Sequence, residues 1–202
     1  MARRGVLFVM TGPSGVGKGT IRAEIQRRIP DLYHSVSVTS RKPRPGERDG
    51  VDYRFFSEHE IRRLIEAGDL LEWAEYIGDL YGTPRRPVED RLAKGIDVLL
   101  EIDYQGARSV ERVDSEAVLI FIAAPSLTEL ERRLRARKSE TPERIERRMT
   151  RAREECKGAG FFQYCVVNDN LSTAARDVEA IIRAERARTR LLTEEDLTAF
   201  CR

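Results

Sequence analysis

Between positions 12 and 20 the chain reads Gly12-Pro13-Ser14-Gly15-Val16-Gly17-Lys18-Gly19-Thr20. Such a run can wrap an anion. Glycines let successive N–H groups turn inward, a helix that starts here adds its partial positive charge, and Lys18 reaches the outer phosphates of a nucleotide. The usual pattern places Ser or Thr directly after the lysine to ligate Mg²⁺. Here that place is Gly19 and the hydroxyl comes one residue later, which leaves the contact of Thr20 with a metal open. A second group of residues suits the metal. Val98-Leu99-Leu100-Glu101-Ile102-Asp103 ends an apolar run in two acids that a strand would carry on one face, and Glu101 or Asp103 could orient Mg²⁺ through water. A third group suits a dianion. Arg41 and Arg44 stand three apart among prolines that forbid a helix, so on an ordered loop they form a clamp, with the Tyr53 hydroxyl as a further donor.

These residues need elements to hold them. Short β-branched runs alternate with longer helical patterns, the pattern of a parallel sheet flanked by helices. Strands are expected over Val6–Thr11, Gly95–Asp103, Ala117–Ala123 and Cys165–Asn168. Helices are expected over Thr20–Arg28, Leu127–Ala136, Pro142–Glu155 and Ser172–Arg188, the third opened by Thr141 as N-cap and Pro142 in the first turn. Two stretches break the rhythm. Residues 35–86, rich in Ser, Thr, Gly, Pro, Arg and Tyr, predict one short helix near Glu58–Ala67 among antiparallel strands, with a hairpin through Gly78-Asp79 between Leu71-Glu72-Trp73 and Tyr81-Gly82-Thr83. Residues 135–160 are dominated by charge and end in a hinge-like Lys157-Gly158-Ala159-Gly160. The expected layout is a single α/β domain. Its three-layer core is 1–34, 87–134 and 161–202, with an inserted lobe of mixed or antiparallel strands at 35–86 and a helical lid at 135–160.

Composition narrows the partners. Thirty-six basic residues face 34 acidic ones, a net charge of +2, and acids and bases are interspersed without a basic tail, which argues against nucleic acid. Only five of those 36 are lysines, so 31 are arginines, most of them solvated surface. No apolar run approaches the roughly 20 residues of a membrane span. The stretch Val6–Met10 is too short for a signal peptide and runs straight into the glycine loop. Three cysteines, 156, 165 and 201, without a C-x-x-C spacing suit a reducing cytoplasm. His34 and His59 read as surface residues, and Trp73 reads as core packing.

The combination of motifs resembles the guanylate kinases, and its Gly-Lys-Gly-Thr loop is of the form seen in nucleoside monophosphate kinases, which share the P-loop NTPase fold. The matching stretches are Gly12–Thr20, Ser37–Tyr53, Leu71-Glu72-Trp73-Ala74, Tyr81-Gly82-Thr83, Glu101–Gly106, Arg137, Arg148 and Val166–Asp169. Small departures are Glu101 where many relatives carry Asp and Thr83 where some carry Ser; both keep the functional group. The resemblance implies transfer of the γ-phosphoryl group of ATP to GMP, and to dGMP, with Mg²⁺ bound mainly through the ATP phosphates. It implies that Arg41, Arg44, Tyr53 and Tyr81 hold the GMP phosphate and that Ser37, Glu72, Thr83 and Asp103 read the guanine. Gly12 to Thr20, with Arg137 and Arg148 from the lid, would hold the ATP phosphates, and Asn168 would lie near the adenine. Lys18, Arg41, Arg137 and Arg148 would be the catalytic cations.

Physical chemistry agrees with that implication. Guanine presents N1–H and a 2-amino group as adjacent donors, which one carboxylate accepts together, whereas adenine would turn a bare acceptor toward Glu72. A phosphate acceptor with a second pKa of about 6 is already a nucleophile at neutral pH, so no general base is needed. Two other readings compete. A protein-binding scaffold of the same fold usually shows a damaged glycine loop, and a kinase acting on a ribose bisphosphate would have no use for Glu72, Ser37 and Thr83. The oligomeric state and the role of residues 193–202 are not written in the sequence.

Overall fold

The computed structural model describes residues 4–76, 78–136, 141–192 and 198–199. In chain order they form β1 (Leu7–Thr11), α1 (Lys18–Arg28), β2 (Tyr33–His34), β3 (Val38–Thr39), β4 (Arg54–Phe55), α2 (Glu58–Glu66), β5 (Leu70–Tyr76) and β6 (Asp79–Pro84). There follow α3 (Arg85–Ala93), β7 (Val98–Glu101), α4 (Tyr104–Val113), β8 (Val118–Ala123), α5 (Leu127–Ala136), α6 (Pro142–Lys157), β9 (Tyr164–Val167) and α7 (Leu171–Arg186).

Five strands build a wholly parallel sheet in the order β2-β7-β1-β8-β9. Alternation along each strand decides which helices cover it. Phe8, Met10, Leu99, Ile120 and Ile122 point to one face, where they meet Ile21 and Ile25 of α1 and Val178 and Ile182 of α7. Leu7, Val9, Leu100, Leu119 and Phe121 point to the other, against Val88 and Leu92 of α3 and Ala107 and Val110 of α4. With both faces covered, β1 is buried at all five positions, which is why its sequence is continuously apolar. Because β1 is central, with β7 on one side and β8 on the other, the loop after it opens at the carboxyl edge of the sheet, where such folds bind ligands.

The smaller sheet has the order β4-β3-β6-β5. The expected hairpin is present as β5–β6, turned through Gly78 at φ 82°. The sheet is mixed, within the expectation: β3 and β4 run parallel, because the chain loops out over residues 40–53 and returns alongside β3 in the same direction, while the other pairs are antiparallel. The whole unit rests on four buried apolar side chains, Val38, Ile61, Leu70 and Leu80. Helix α2 is started by a reciprocal capping box between Ser57 and Glu60.

Helices α3 and α4 stand where the apolar pattern marked no helix. They bury Val88 and Leu92 in one and Gly106, Ala107 and Val110 in the other. Helix α6 is capped by Thr141 with Pro142 in its first turn, as expected, and packs Ile145, Met149 and Ala152 into the same core as Leu130 and Leu134 of α5. No described helix is long and apolar enough to cross a membrane.

Candidate active site

The glycine loop hangs between β1 and α1, and its shape depends on two positions. Gly12 has φ 142°, and a Cβ there would lie 2.1 Å from the carbonyl oxygen of Ile122. Gly17, the N-cap of α1, has φ 98°, and a Cβ there would press on the Asn168 amide at 2.6 Å. Both conformations are open to glycine and strained for any other residue. Lys18 folds back so that its Nζ donates to the Gly12 carbonyl at 2.6 Å, which places its charge over the loop. Asn168, at the end of β9, braces the loop from beneath: its Nδ2 donates to the Val16 carbonyl at 2.7 Å, and its own carbonyl accepts from Arg133 at 2.9 Å.

The loop is reached by clefts from two sides. On one side Gly15, Val16, Gly17 and Thr20 share a cleft with Arg132, Arg133 and Asn168. On the other, Gly12, Ser14 and Lys18 share a cavity with Ser37, Arg41, Arg44, Tyr53, Glu72, Tyr81, Asp103 and Arg148. Lys18, Arg148 and most residues expected to bind the acceptor thus line one chamber although they come from both sheets and from α6. Thr83 reaches it only through Glu72, and Thr20 and Asn168 line other clefts. Arg137 lies outside the described residues.

Arg41, one of the two arginines expected to clamp a dianion, is held by the protein's own groups. Arg41 donates twice to Glu47, at 2.7 Å each, and its guanidinium lies over the Tyr53 ring at 5.0 Å. Burial works against its charge, but the Glu47 partnership more than offsets this and its pKa is raised. Its Nε is buried without a hydrogen-bond partner among the described residues, a donor left over for a ligand oxygen. Arg44 is exposed and lines the same cavity, while its backbone N–H donates to Glu47 at 2.7 Å. Tyr53 and Tyr81 pack edge to face at 6.0 Å. Burial, with the nearby Glu101 charge, pushes the Tyr53 hydroxyl up to about 12, so it stays a donor.

The base-reading end is organised by the hairpin. Register pairs Glu72 with Thr83, and the Thr83 hydroxyl donates to the buried Glu72 carboxylate at 2.6 Å. Burial raises the Glu72 pKa to about 7; the Thr83 bond opposes this rise and the Asp103 charge adds to it. Gly106 sits opposite, and a side chain there would come within 2.6 Å of a Glu72 oxygen.

The two strand-end acids line one cavity but take different partners. Glu101 closes β7 and accepts from Arg22 Nε at 3.1 Å. Asp103 lies past the strand and caps α4 by accepting from the Gly106 N–H at 2.8 Å, while its other oxygen accepts from Arg151 at 3.0 Å. A Cβ on Gly19 would face the Glu101 carboxylate at 3.7 Å, and Glu101 and Thr20 line a common cavity with Lys18. A hydroxyl and a carboxylate are oxygen donors that fit Mg²⁺ taking its remaining ligands from phosphate and water.

Two expectations are overturned. Trp73 is 48 % exposed and is not core packing, because strand alternation turns it away from the cavity that its neighbour Glu72 faces. His34 is not a free surface residue: it sits half-buried in β2 at the cavity beside Arg22, and burial with the Arg22 charge lowers its pKa to about 4. His59 is exposed, as expected. Sequence reading missed Arg151, Glu155, Tyr76 and Arg22. The spacing of Arg148, Arg151 and Glu155 does put them on one helical face, a signal hidden among the many other charges of α6.

Comparison with known proteins agrees with this chemistry. The family model described as guanylate kinase matches residues 4–185. A guanylate kinase of Thermus thermophilus is 54 % identical over 186 residues, covering 92 % of this chain and 84 % of the relative. A guanylate kinase of Synechococcus sp. (strain JA-3-3Ab) is 51 % identical over 181 residues, covering 90 % and 83 %. Among solved structures, a guanylate kinase from Anaplasma phagocytophilum superposes with TM-score 0.80 at 33 % identity, covering 94 % of this chain and 90 % of that one. With the phosphate loop, the arginine clamp and the buried carboxylate already in one chamber, the chain belongs to the guanylate kinase family of nucleoside monophosphate kinases.

Proposed function

We propose that the residues gathered in this chamber carry out the family reaction, phosphorylation of GMP by ATP, as one direct in-line transfer. The observation that carries this is the buried Glu72 carboxylate, bonded to Thr83 and sharing a cavity with Lys18. A buried acid with so few partners is costly unless a ligand supplies donors, and guanine supplies N1–H and the 2-amino group side by side. Ser37 and Asp103 complete the base site. Arg41, Arg44, Tyr53 and Tyr81 neutralise and orient the acceptor phosphate, whose oxygen attacks without a general base. The family resemblance extends the acceptor to dGMP.

The donor phosphates lie in the loop Gly12–Thr20. Lys18 and Arg148 stabilise the charge that spreads over the transferred group, and we assign Arg137 the same role on the family resemblance. The adenine lies on the far side of the loop, near Asn168. Thr20, with Glu101 or Asp103 through water, would hold Mg²⁺, which would supply charge neutralisation to the donor phosphates. Residues 35–86 act as the GMP lobe and 135–160 as a lid that closes to exclude water. The free thiols of Cys156 and Cys165 suit a reducing cytoplasm.

An ADP-release assay with GMP, AMP, UMP and a ribose bisphosphate as acceptors tests this reading. Turnover with GMP far above the others is expected. No turnover with any of them would favour a protein-binding scaffold, and preference for the bisphosphate would move the chain to another acceptor.

A further inference from the structure

On α6, outside every group assigned above, one arginine joins three parts of the molecule. Arg151 donates from Nη2 to Asp103 at 3.0 Å and from Nε to Glu155 at 3.0 Å, and its guanidinium lies 4.2 Å from the centre of the Tyr76 ring. Asp103 belongs to the start of α4, Glu155 to α6 itself and Tyr76 to the end of β5. Core, lid and lobe therefore meet on a single side chain.

We propose that Arg151 is a positioning residue that holds Asp103 toward the 2-amino group of the acceptor base, so that base choice and the seating of α6 depend on one another. This rests on reading Asp103 as part of the guanine site. Glu72 can accept N1–H and one hydrogen of the 2-amino group, which leaves the second hydrogen for the neighbouring carboxylate. Asp103 is anchored on one oxygen by the Gly106 N–H and could still swing about that bond; the Arg151 contact pins the other oxygen. Each oxygen keeps a lone pair for the base.

Charge supports the same assignment. Asp103, Glu72 and Glu155 line one cavity, a concentration of acid that the Arg151 guanidinium offsets from α6 alongside Arg148, with Lys18 facing from the loop. Burial raises the Glu155 carboxyl, and its bond to Arg151 is the first influence opposing that rise. The geometry calls for arginine in particular. Two different nitrogens serve two carboxylates while the planar face covers an aromatic ring, and a lysine, with one nitrogen, could not do all three.

Inosine monophosphate lacks only the 2-amino group, so it isolates this contact. The test measures Kd for GMP and for IMP, together with kcat/KM for both and KM for ATP, on the full chain and its Arg151→Met, Arg151→Lys and Asp103→Asn variants. For Arg151→Met the preference for GMP over IMP should fall by about tenfold, within the range of one good base contact, while IMP binding and the KM for ATP change less than twofold. Arg151→Lys should recover only part of that preference. Equal loss of GMP and IMP binding in Arg151→Met would mean that the residue merely seats α6 and would overturn the proposal. Loss of preference in Asp103→Asn but not in Arg151→Met would overturn the positioning role alone. An unchanged preference in Asp103→Asn would remove the base-reading role of Asp103 and the proposal with it. Should Arg151→Met fail to fold, Arg151→Lys and Glu155→Gln carry the comparison, and a full GMP preference in both would overturn the proposal.

Discussion

The two sheets of this protein solve the same packing problem on different scales. The parallel sheet is covered on both faces, and its strands bury side chains such as Phe8, Leu99, Leu119 and Ile120 completely. The smaller sheet closes over Val38, Ile61, Leu70 and Leu80, with strands of only two residues at β3 and β4. The first is the floor from which the glycine loop springs; the second is a light frame that carries Glu72 and Thr83 and leads into the Arg41 loop. A light frame has less local stability to lose, which suits the acceptor lobe proposed above. The loop glycines and Lys18 sit on the floor, and Arg41 and Glu72 sit on the frame.

Four experiments would break or sharpen that contrast. The largest effect belongs to the floor: Lys18→Met should lower GDP formation by at least about 10²–10³-fold through lost charge stabilisation, with the thermal midpoint unchanged. Near-normal turnover would refute the loop assignment. Next come paired truncations, Ile120→Ala in the floor and Ile61→Ala in the frame, both of fully buried side chains. Each should cost about 2–5 kcal/mol locally. Ile120→Ala should lower the global midpoint in calorimetry, whereas Ile61→Ala should chiefly raise the KM for GMP and spare ATP binding. If both behave alike, the two sheets unfold as one unit.

Third, Glu72→Gln should raise the KM for GMP by about 10- to 100-fold, the worth of a charged bidentate base contact, and leave the KM for ATP within twofold. In the unaltered chain the KM for GMP should rise as pH falls through about 7, where Glu72 takes up its proton and loses its capacity to accept both guanine donors. The stability sign is opposite. With the folded pKa raised from 4.5 to about 7, the contribution of this group is fully present below about pH 4.5 and is lost as pH rises toward 7, so the ligand-free protein should lose stability over that window and Glu72→Gln should not. Smallest, Trp73→Ser on the exposed face of β5 should change stability by no more than about 0.5 kcal/mol and leave kinetics alone.

Legibility followed the same division. The floor was readable because burial on both faces forces continuous apolar runs, and the glycine loop announces itself through backbone demands that few residues meet. Helices α5 and α6 were readable from charge-backed periodicity and a cap. Less of the frame was readable: β3 and β4 are too short to carry a pattern, and their parallel pairing depends on where a long loop returns. Helices α3 and α4 were not read, although α4 carries a clear apolar face over Ala107 and Val110. In the site, residues inside contiguous motifs were found, while Arg151 and Arg22 were not, because an arginine among 31 carries no mark of its own.

The sequence by itself determined the glycine loop and the parallel core, which follow from local backbone limits and two-sided burial, and it singled out Arg41, Arg44 and Glu72 as candidates through motifs shared with a known family. Only the tertiary structure decided which carboxylate meets which cation. It sent Glu101 to Arg22 and Asp103 to Arg151, turned Trp73 outward, drew His34 into a cavity and set Glu72 against Thr83 deep enough to shift its proton. The reason is physical: pairing and desolvation depend on distances between elements remote in the chain, and those distances exist only after the chain has packed.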